Sequence, residues 1–203
     1  LHPDMRATRT GRRIAADLDL PLVTVQHHHA HAVSCMAENG LDEALALVFD
    51  GTGLGTDGNI WGAELLHVTP GGFERLGSFR PVPLPGGDAA VRHPVRQVVA
   101  RWAAADIEIT PDRLRDLGAD PDEAVLWALA ARRGLQAPAT HAAGRLFDAA
   151  AVLAGCAPGV VTYEGQAAIR LEALARSAPA AEGGGDVPFD VTVDGRMLWI
   201  AWS

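Results

Sequence analysis

Apolar residues along this chain change their spacing once, and the change divides it. Up to about residue 90 they fall in short runs. Residues 20–26 (LPLVTVQ), 45–49 (LALVF), 59–68 (NIWGAELLHV) and 73–79 each read as a strand, the second as a buried one, with β-branched and aromatic members between turn residues. A helix is predicted between the first two, from the histidines at 27–31 through AVSCMAENG, stopped at Gly40. The proline-rich RPVPLPGGD that follows is predicted to be a loop. From about Arg92 the period becomes helical. Residues 95–104 (VRQVVARWAA) form one predicted helix, and Asp120-Pro121 supplies an N-cap with proline at N1 for another that ends at Gly134. Trp102 and Trp127 are expected to pack between these helices rather than stack on a ligand. Residues 144–154 and 165–175 are two more helices entered through glycine, SAPAAEGGGDVP is a linker, and FDVTVDG with MLWIAWS is a terminal hairpin turning at Asp194-Gly195. The class is α/β, organised as a lobe over 1–90, a mainly helical segment over 91–176, a linker over 177–188 and a hairpin over 189–203.

Chemistry concentrates in the first lobe. His27 and His31 are four apart, so on a helix both imidazoles project from one face and can hold one ion, with Asp50 at the end of the second strand as third ligand. Two imidazoles and a carboxylate with open positions opposite suit Fe(II) and also Zn(II). A polar, solvated helix start accounts for the histidines equally well. In the turn DGTGLGTDG, Gly51, Gly53, Gly55 and Gly58 leave backbone N–H groups open to phosphate oxygens, with hydroxyls at Thr52 and Thr56. An ordinary glycine-rich hairpin fits the same residues. It is not a Walker loop, since no GK[ST] occurs and the chain has no lysine at all.

Taken in order, VQHHHAH, FDGTGLGTDGNIWGAEL, GSFRPVPLPGGDAAVRHPVR, AGRLFDAAAVLAG and VTYEGQAAIRLEALA resemble the carbamoyl-transfer module of the HypF family, which acts in [NiFe] hydrogenase maturation. LHPDMRATR at the front is similar to the family's LHP segment. The resemblance implies the actin-like ATPase superfamily (ASKHA) fold, shared with tRNA threonylcarbamoyl transferases and with O-carbamoyltransferases of antibiotic pathways. It implies carbamoyl transfer from carbamoyl adenylate, made from carbamoyl phosphate and ATP by an adenylate-forming domain, to the C-terminal cysteine of a HypE-like acceptor. Transfer to a small-molecule hydroxyl, or a non-catalytic metal- and nucleotide-binding fragment, are the alternatives. Site residues carried over are the metal ligands His27, His31 and Asp50, and the phosphate-binding Asp50, Gly51, Thr52, Gly53 and Gly58. Gly144, Asp148, Glu164 and Gly165 carry over as nucleoside contacts, although Asp148 also reads as a surface carboxylate of an amphipathic helix. The family's small hydroxyl residues before GRLFDA are replaced by His141, Ala142 and Ala143, which makes His141 either an added site residue or a neutral surface change. A second glycine-rich phosphate loop and a further aspartate ligand of the family are not found, nor are its other domains, so an incomplete module is expected.

Net charge is −8, and all 17 basic residues are arginine, which disfavours a nucleic-acid groove and the tRNA-modifying relatives. Cys35 and Cys156 are far apart and read as buried structural thiols in a reducing cytoplasm. No apolar run approaches the roughly 20 residues of a membrane span, so a soluble protein is expected.

Overall fold

A computed structural model describes residues 5–178 and 188–202. Helix α1 (Arg6–Asp17) precedes α2 (His27–Asn39). Three antiparallel strands follow: β1 (Ala44–Leu54), β2 (Ile60–Thr69) and β3 (Gly72–Phe79). After the short β4 (Val82–Pro83) come α3 (Asp88–Arg92), α4 (Val95–Ala104), α5 (Pro111–Asp116) and α6 (Pro121–Arg133). Then β5 (Ala139–Thr140), α7 (Ala143–Leu153) and α8 (Gln166–Ser177) lead to the hairpin of β6 (Phe189–Asp194) and β7 (Met197–Trp202).

The helix ends follow from local chemistry. The Gln26 side chain accepts from the His29 N–H and caps α2, and Gly40 closes the helix in the left-handed conformation at φ +65°. Asp120 accepts from the N–H groups of Asp122 and Glu123 at the start of α6, whose last turn carries Arg132 and Arg133.

One sheet runs β4-β5-β2-β3-β7-β6, with β1 on the other edge of β2. β7 lies parallel to β3, pairing Gly77 with Leu198 and Phe79 with Ile200, so the terminal hairpin extends the main sheet. One sheet face is closed by α2: Ala32 and Met36 meet Val48, Leu66 and Val68 in a single apolar cluster. Full burial of a leucine such as Leu66 stabilises by roughly 1.5–3 kcal/mol. The opposite face exposes Leu45, Leu47 and Phe49 of β1 and Val191 and Val193 of β6. β1 was expected to be buried and is buried on one side only. A second cluster joins α4, α5 and α6 through Val99, Leu114 and Ala124. Trp102 and Trp127 pack against it as expected, with the Arg96 guanidinium 4.6 Å from the Trp127 ring centroid.

Several expectations are corrected. Residues 20–26 are not among the strands of the described sheet; the stretch is largely exposed and Pro21 lacks a donor, so its β-propensity meets no ladder. The turn between β1 and β2 is confined to residues 55–58, closed by Gly55 N–H to Asn59 O, because β1 continues to Leu54. Gly195 and Arg196 form the terminal turn, since Asp194 already pairs with Met197. Cys35 is exposed and Cys156 half-buried, since α2 turns Cys35 away from the sheet. His141 is not a surface residue. It is buried, its Nδ1 lies 2.7 Å from the Phe79 carbonyl, and its ring stacks on Trp199 of β7. Burial holds its pKa below the ordinary value, against the pull of the Phe79 hydrogen bond. The predicted linker lies mostly outside the described residues, as do residues 1–4 of the LHP segment.

Candidate functional site

A break in strand register makes the site. Phe49 pairs with Ala63 and Gly53 with Trp61, so Asp50, Gly51 and Thr52 stand against the single residue Gly62 as a bulge. The bulge needs its glycines for packing reasons. A Cβ on Gly62 would lie 2.6 Å from the Asp50 carbonyl oxygen and 2.9 Å from Ala142 Cα. A Cβ on Gly53 would lie 2.5 Å from His28 Cε1, and one on Gly55 2.1 Å from the Trp61 indole nitrogen. Gly53 and Gly55 are thus demanded by the protein's own side chains.

The bulge turns the Asp50 carboxylate toward the start of α2. His27 Nε2 lies 3.0 Å from Asp50 Oδ2, and His31 Nε2 lies 3.1 Å from His27 Nε2. The three candidate ligand atoms are all within 4.8 Å of one another. Bonds of ~2.0–2.2 Å to a tetrahedral ion separate ligand atoms by roughly 3.3 Å, close to the 3.0 and 3.1 Å found from His27 to Asp50 and to His31. The other Asp50 oxygen accepts from the Gly51 N–H at 2.6 Å.

His28, which the sequence reading passed over, is completely buried beneath the site. The Gln26 amide donates to its Nδ1 at 3.0 Å, and Gln26 is itself oriented by accepting from the His29 N–H. The proton of His28 therefore sits on Nε2, 3.9 Å from Asp50 Oδ2. Neither atom has a hydrogen-bond partner. Burial lowers the His28 pKa, opposed by the charges of Glu64 and Asp50, which keeps the ring neutral. The third member of the triplet, His29, is tied to the Thr69 carbonyl at 2.8 Å and is structural.

Behind the bulge lies a buried ionic network. Fully buried Glu64 accepts from the Gly62 N–H and from Arg75 Nε at 2.7 Å. Arg75 continues to Asp57 at 3.1 Å and covers the Trp61 ring, whose N–H donates to Asp57 at 2.9 Å. Burial works to raise the Asp57 pKa, but the Asn59 N–H, the Trp61 indole and Arg75 together hold it below the usual range.

A cleft of about 1320 Å³ opens beside this corner. Its lining includes His27, Gly51, Thr52 and Gly53 around the bulge, and Gly144, Asp148, Glu164 and Gly165 of the α7 and α8 motifs. Gly58 is not in the lining; it sits in the hairpin turn at φ +82° with open space around it. Gly144 is pressed on the bulge: a Cβ there would lie 2.9 Å from Gly51 Cα. Asp148 is no surface carboxylate, since α7 turns it inward to 3 % exposure. Burial raises its pKa, against the charges of Arg145 and Arg101. The LPGGD segment forms the turn into α3, with Leu84 N–H on Pro138 O and Gly86 N–H on Gln136 O, and it brings Leu84 and Asp88 to the cleft.

Comparison with known proteins agrees with this geometry. A family model described as the carbamoyltransferase Kae1-like domain, second subdomain, matches residues 46–202, and one described as the HypF Kae1-like domain matches residues 1–38. The fold is of the actin-like ATPase type. The structure of full-length HypF in its phosphate- and nucleotide-bound form superposes with a TM-score of 0.79 at 33 % identity, over 98 % of this chain and 30 % of that one. HypF from T. kodakarensis gives 0.78 at 32 % identity, over 98 % and 27 %. The chain belongs to the HypF carbamoyltransferase family, as part of its Kae1-like domain. Carbamoyltransferase HypF of Rhodobacter capsulatus is 45 % identical over 86 % of this chain and 24 % of its own length. That of Rhizobium leguminosarum bv. viciae is 43 % identical over 98 % and 25 %. The chain spans about a quarter of the length of these relatives. Among the described residues, no helix is long and apolar enough to cross a membrane.

Proposed function

We propose that this cleft is where a carbamoyl group passes from carbamoyl adenylate to the C-terminal cysteine of a HypE-like acceptor. One observation carries the reading: His27, which clusters with His31 and Asp50, lines the same cleft as Gly51 and Thr52 of the bulge and the α7 and α8 motifs, so one ion ligand and the nucleoside-binding residues face one space. In the transfer, the acceptor thiolate attacks the carbamoyl carbon, a C–S bond forms, and the C–O bond to the phosphate breaks as AMP leaves. His27, His31 and Asp50 would hold Fe(II) or Zn(II). When bound, the ion supplies Lewis-acid stabilisation of developing oxyanion charge.

This chain's own residues do the rest. Gly51, Thr52 and Gly53 line the cleft beside the ligand corner, and with the Gly51 N–H held by Asp50 it is Thr52 that offers its N–H and hydroxyl to phosphate oxygens. His28, held by Gln26, fills the space beneath Asp50 with its Nε2 3.9 Å from that carboxylate. On the opposite wall, Asp148 and Glu164 offer carboxylates to ribose hydroxyls. Neither cysteine of this chain is needed, because the nucleophile belongs to the acceptor.

The test is metal content and AMP binding of the purified chain beside His27→Ala/His31→Ala. The wild type should hold close to one iron or zinc per chain. The variant should bind at least about 100-fold more weakly, since even outer-shell changes cost 10–100-fold. A folded wild type that binds neither ion nor nucleotide would remove this chain from the chemistry.

A further inference from the structure

The end of α7 that faces the bulge carries an unbalanced cation. Arg145, in the first turn, is 7 % exposed, lines the cleft, and has no hydrogen-bond partner on Nε or Nη1. Its Nη2 lies 3.1 Å from Asp148 Oδ2, yet that oxygen also lacks a properly directed hydrogen bond. Asp148 is shared with a second guanidinium, that of Arg101, whose donors go to the neutral carbonyl and side-chain oxygens of Gln97. Two arginines around one carboxylate leave one positive charge over, in a place where unpaired charge is costly.

A second, independent feature points the same way. α7 has no side-chain cap at Ala142, and Gly144 in its first turn lines the cleft where it rests on Gly51. An eleven-residue helix presents partial positive charge there.

We infer that Arg145 and the N-terminus of α7 form a seat for a phosphate oxyanion, at the metal-corner end of the cleft. This rests on the nucleotide reading above and deepens it. The α7 motif then does two jobs, Arg145 for the anion and Asp148 for the sugar, and the ligand lies with its phosphate toward Gly51 and its base toward Thr162 and Tyr163. A bound dianion would neutralise the leftover charge, so the occupied protein is also harder to unfold.

The experiment compares affinities of adenosine, AMP and inorganic phosphate by calorimetry, for the wild type and for Arg145→Gln. AMP should bind the wild type roughly 10–100-fold more tightly than adenosine, as charge-assisted hydrogen bonds allow. That advantage should shrink to under about threefold in Arg145→Gln, with adenosine affinity nearly unchanged. Inorganic phosphate should compete with AMP and leave adenosine bound. If Arg145→Gln does not fold, Arg145→Lys carries the comparison: it keeps the charge, loses the fork of donors, and should lose part of the AMP advantage. An AMP-to-adenosine ratio untouched by either variant would overturn the seat. Phosphate binding that needs Arg145, without any nucleotide binding, would uphold the seat and sink the nucleotide reading. Failure of both ligands would sink both.

Discussion

The two walls of the cleft are built on different principles. On the metal-corner wall the bulge that carries Asp50 is braced from behind: Gly62 fits where no Cβ can, Glu64 holds the Gly62 N–H, and His28 fills the space under Asp50. The α8 wall is open. Tyr163 and Glu164 are exposed, and a Cβ on Gly165 would meet only Ile169 Cδ1 at 3.9 Å. On the function proposed above, chemistry that depends on ligand distances would sit on the braced wall. Grip on a ligand that must enter and leave sits on the open one.

That contrast can be broken by mutation, starting with the largest effect. Glu64→Ala leaves the Arg75 guanidinium under-compensated behind the bulge and should cost about 3–5 kcal/mol in urea unfolding. A loss below ~1 kcal/mol would mean that the network does not brace the corner. Gly62→Ala should cost roughly 1–3 kcal/mol, because the backbone of Asp50 has no room to retreat. It should also weaken metal retention, and normal retention in a destabilised variant would separate the bulge from the ligands.

Acid should act on the two walls with opposite sign. His28 has its folded pKa below the ordinary 6.5, so the unfolded chain binds more protons in the window beneath that value. Its contribution is complete above pH 6.5 and is lost as the pH falls, at up to about 1.4 kcal/mol per pH unit. Asp148 has a raised pKa, so its contribution is present below the ordinary 3.8 and is lost as the pH rises through the folded value. His28→Asn should flatten the fall in unfolding midpoint below pH 6.5, leaving the slope due to His141. An unchanged slope would show that His28 is not the neutral buried group described. Smallest of all, Glu164→Ala should shift stability by less than ~0.5 kcal/mol while weakening adenosine binding. A cost as large as that of Gly62→Ala would erase the distinction between the walls.

Much of this was legible in the sequence wherever a local signal decides the outcome. The end of α2 follows from Gly40, both ends of α6 from Asp120 and Gly134, and the β1–β3 meander from its short apolar runs. The HxxxH spacing placed His27 and His31 on one face, and the structure brings Asp50 to them. What was not legible depends on partners far along the chain. Residues 20–26 have strand-like composition and no ladder in the described sheet. Asp148 has the look of a surface carboxylate until α4 supplies Arg101 beside it. His28 was hidden between two better-known neighbours, and the helical angle between adjacent residues was the available sign that it must face inward. Gly53 and Gly55 read as phosphate-loop glycines, but only the positions of His28 and Trp61 reveal why they lack side chains.

The parallel pairing of β3 with β7 has a bearing on how the protein is made. Gly77 meets Leu198 only after every helix from α3 to α8 has been synthesised between them. During translation the β3 edge therefore emerges from the ribosome long before its partner exists. Over that interval it presents unpaired N–H and C=O groups beside an apolar surface, the arrangement most open to wrong pairing. Joining strands so distant in sequence also slows folding, because loop closure must precede the contact.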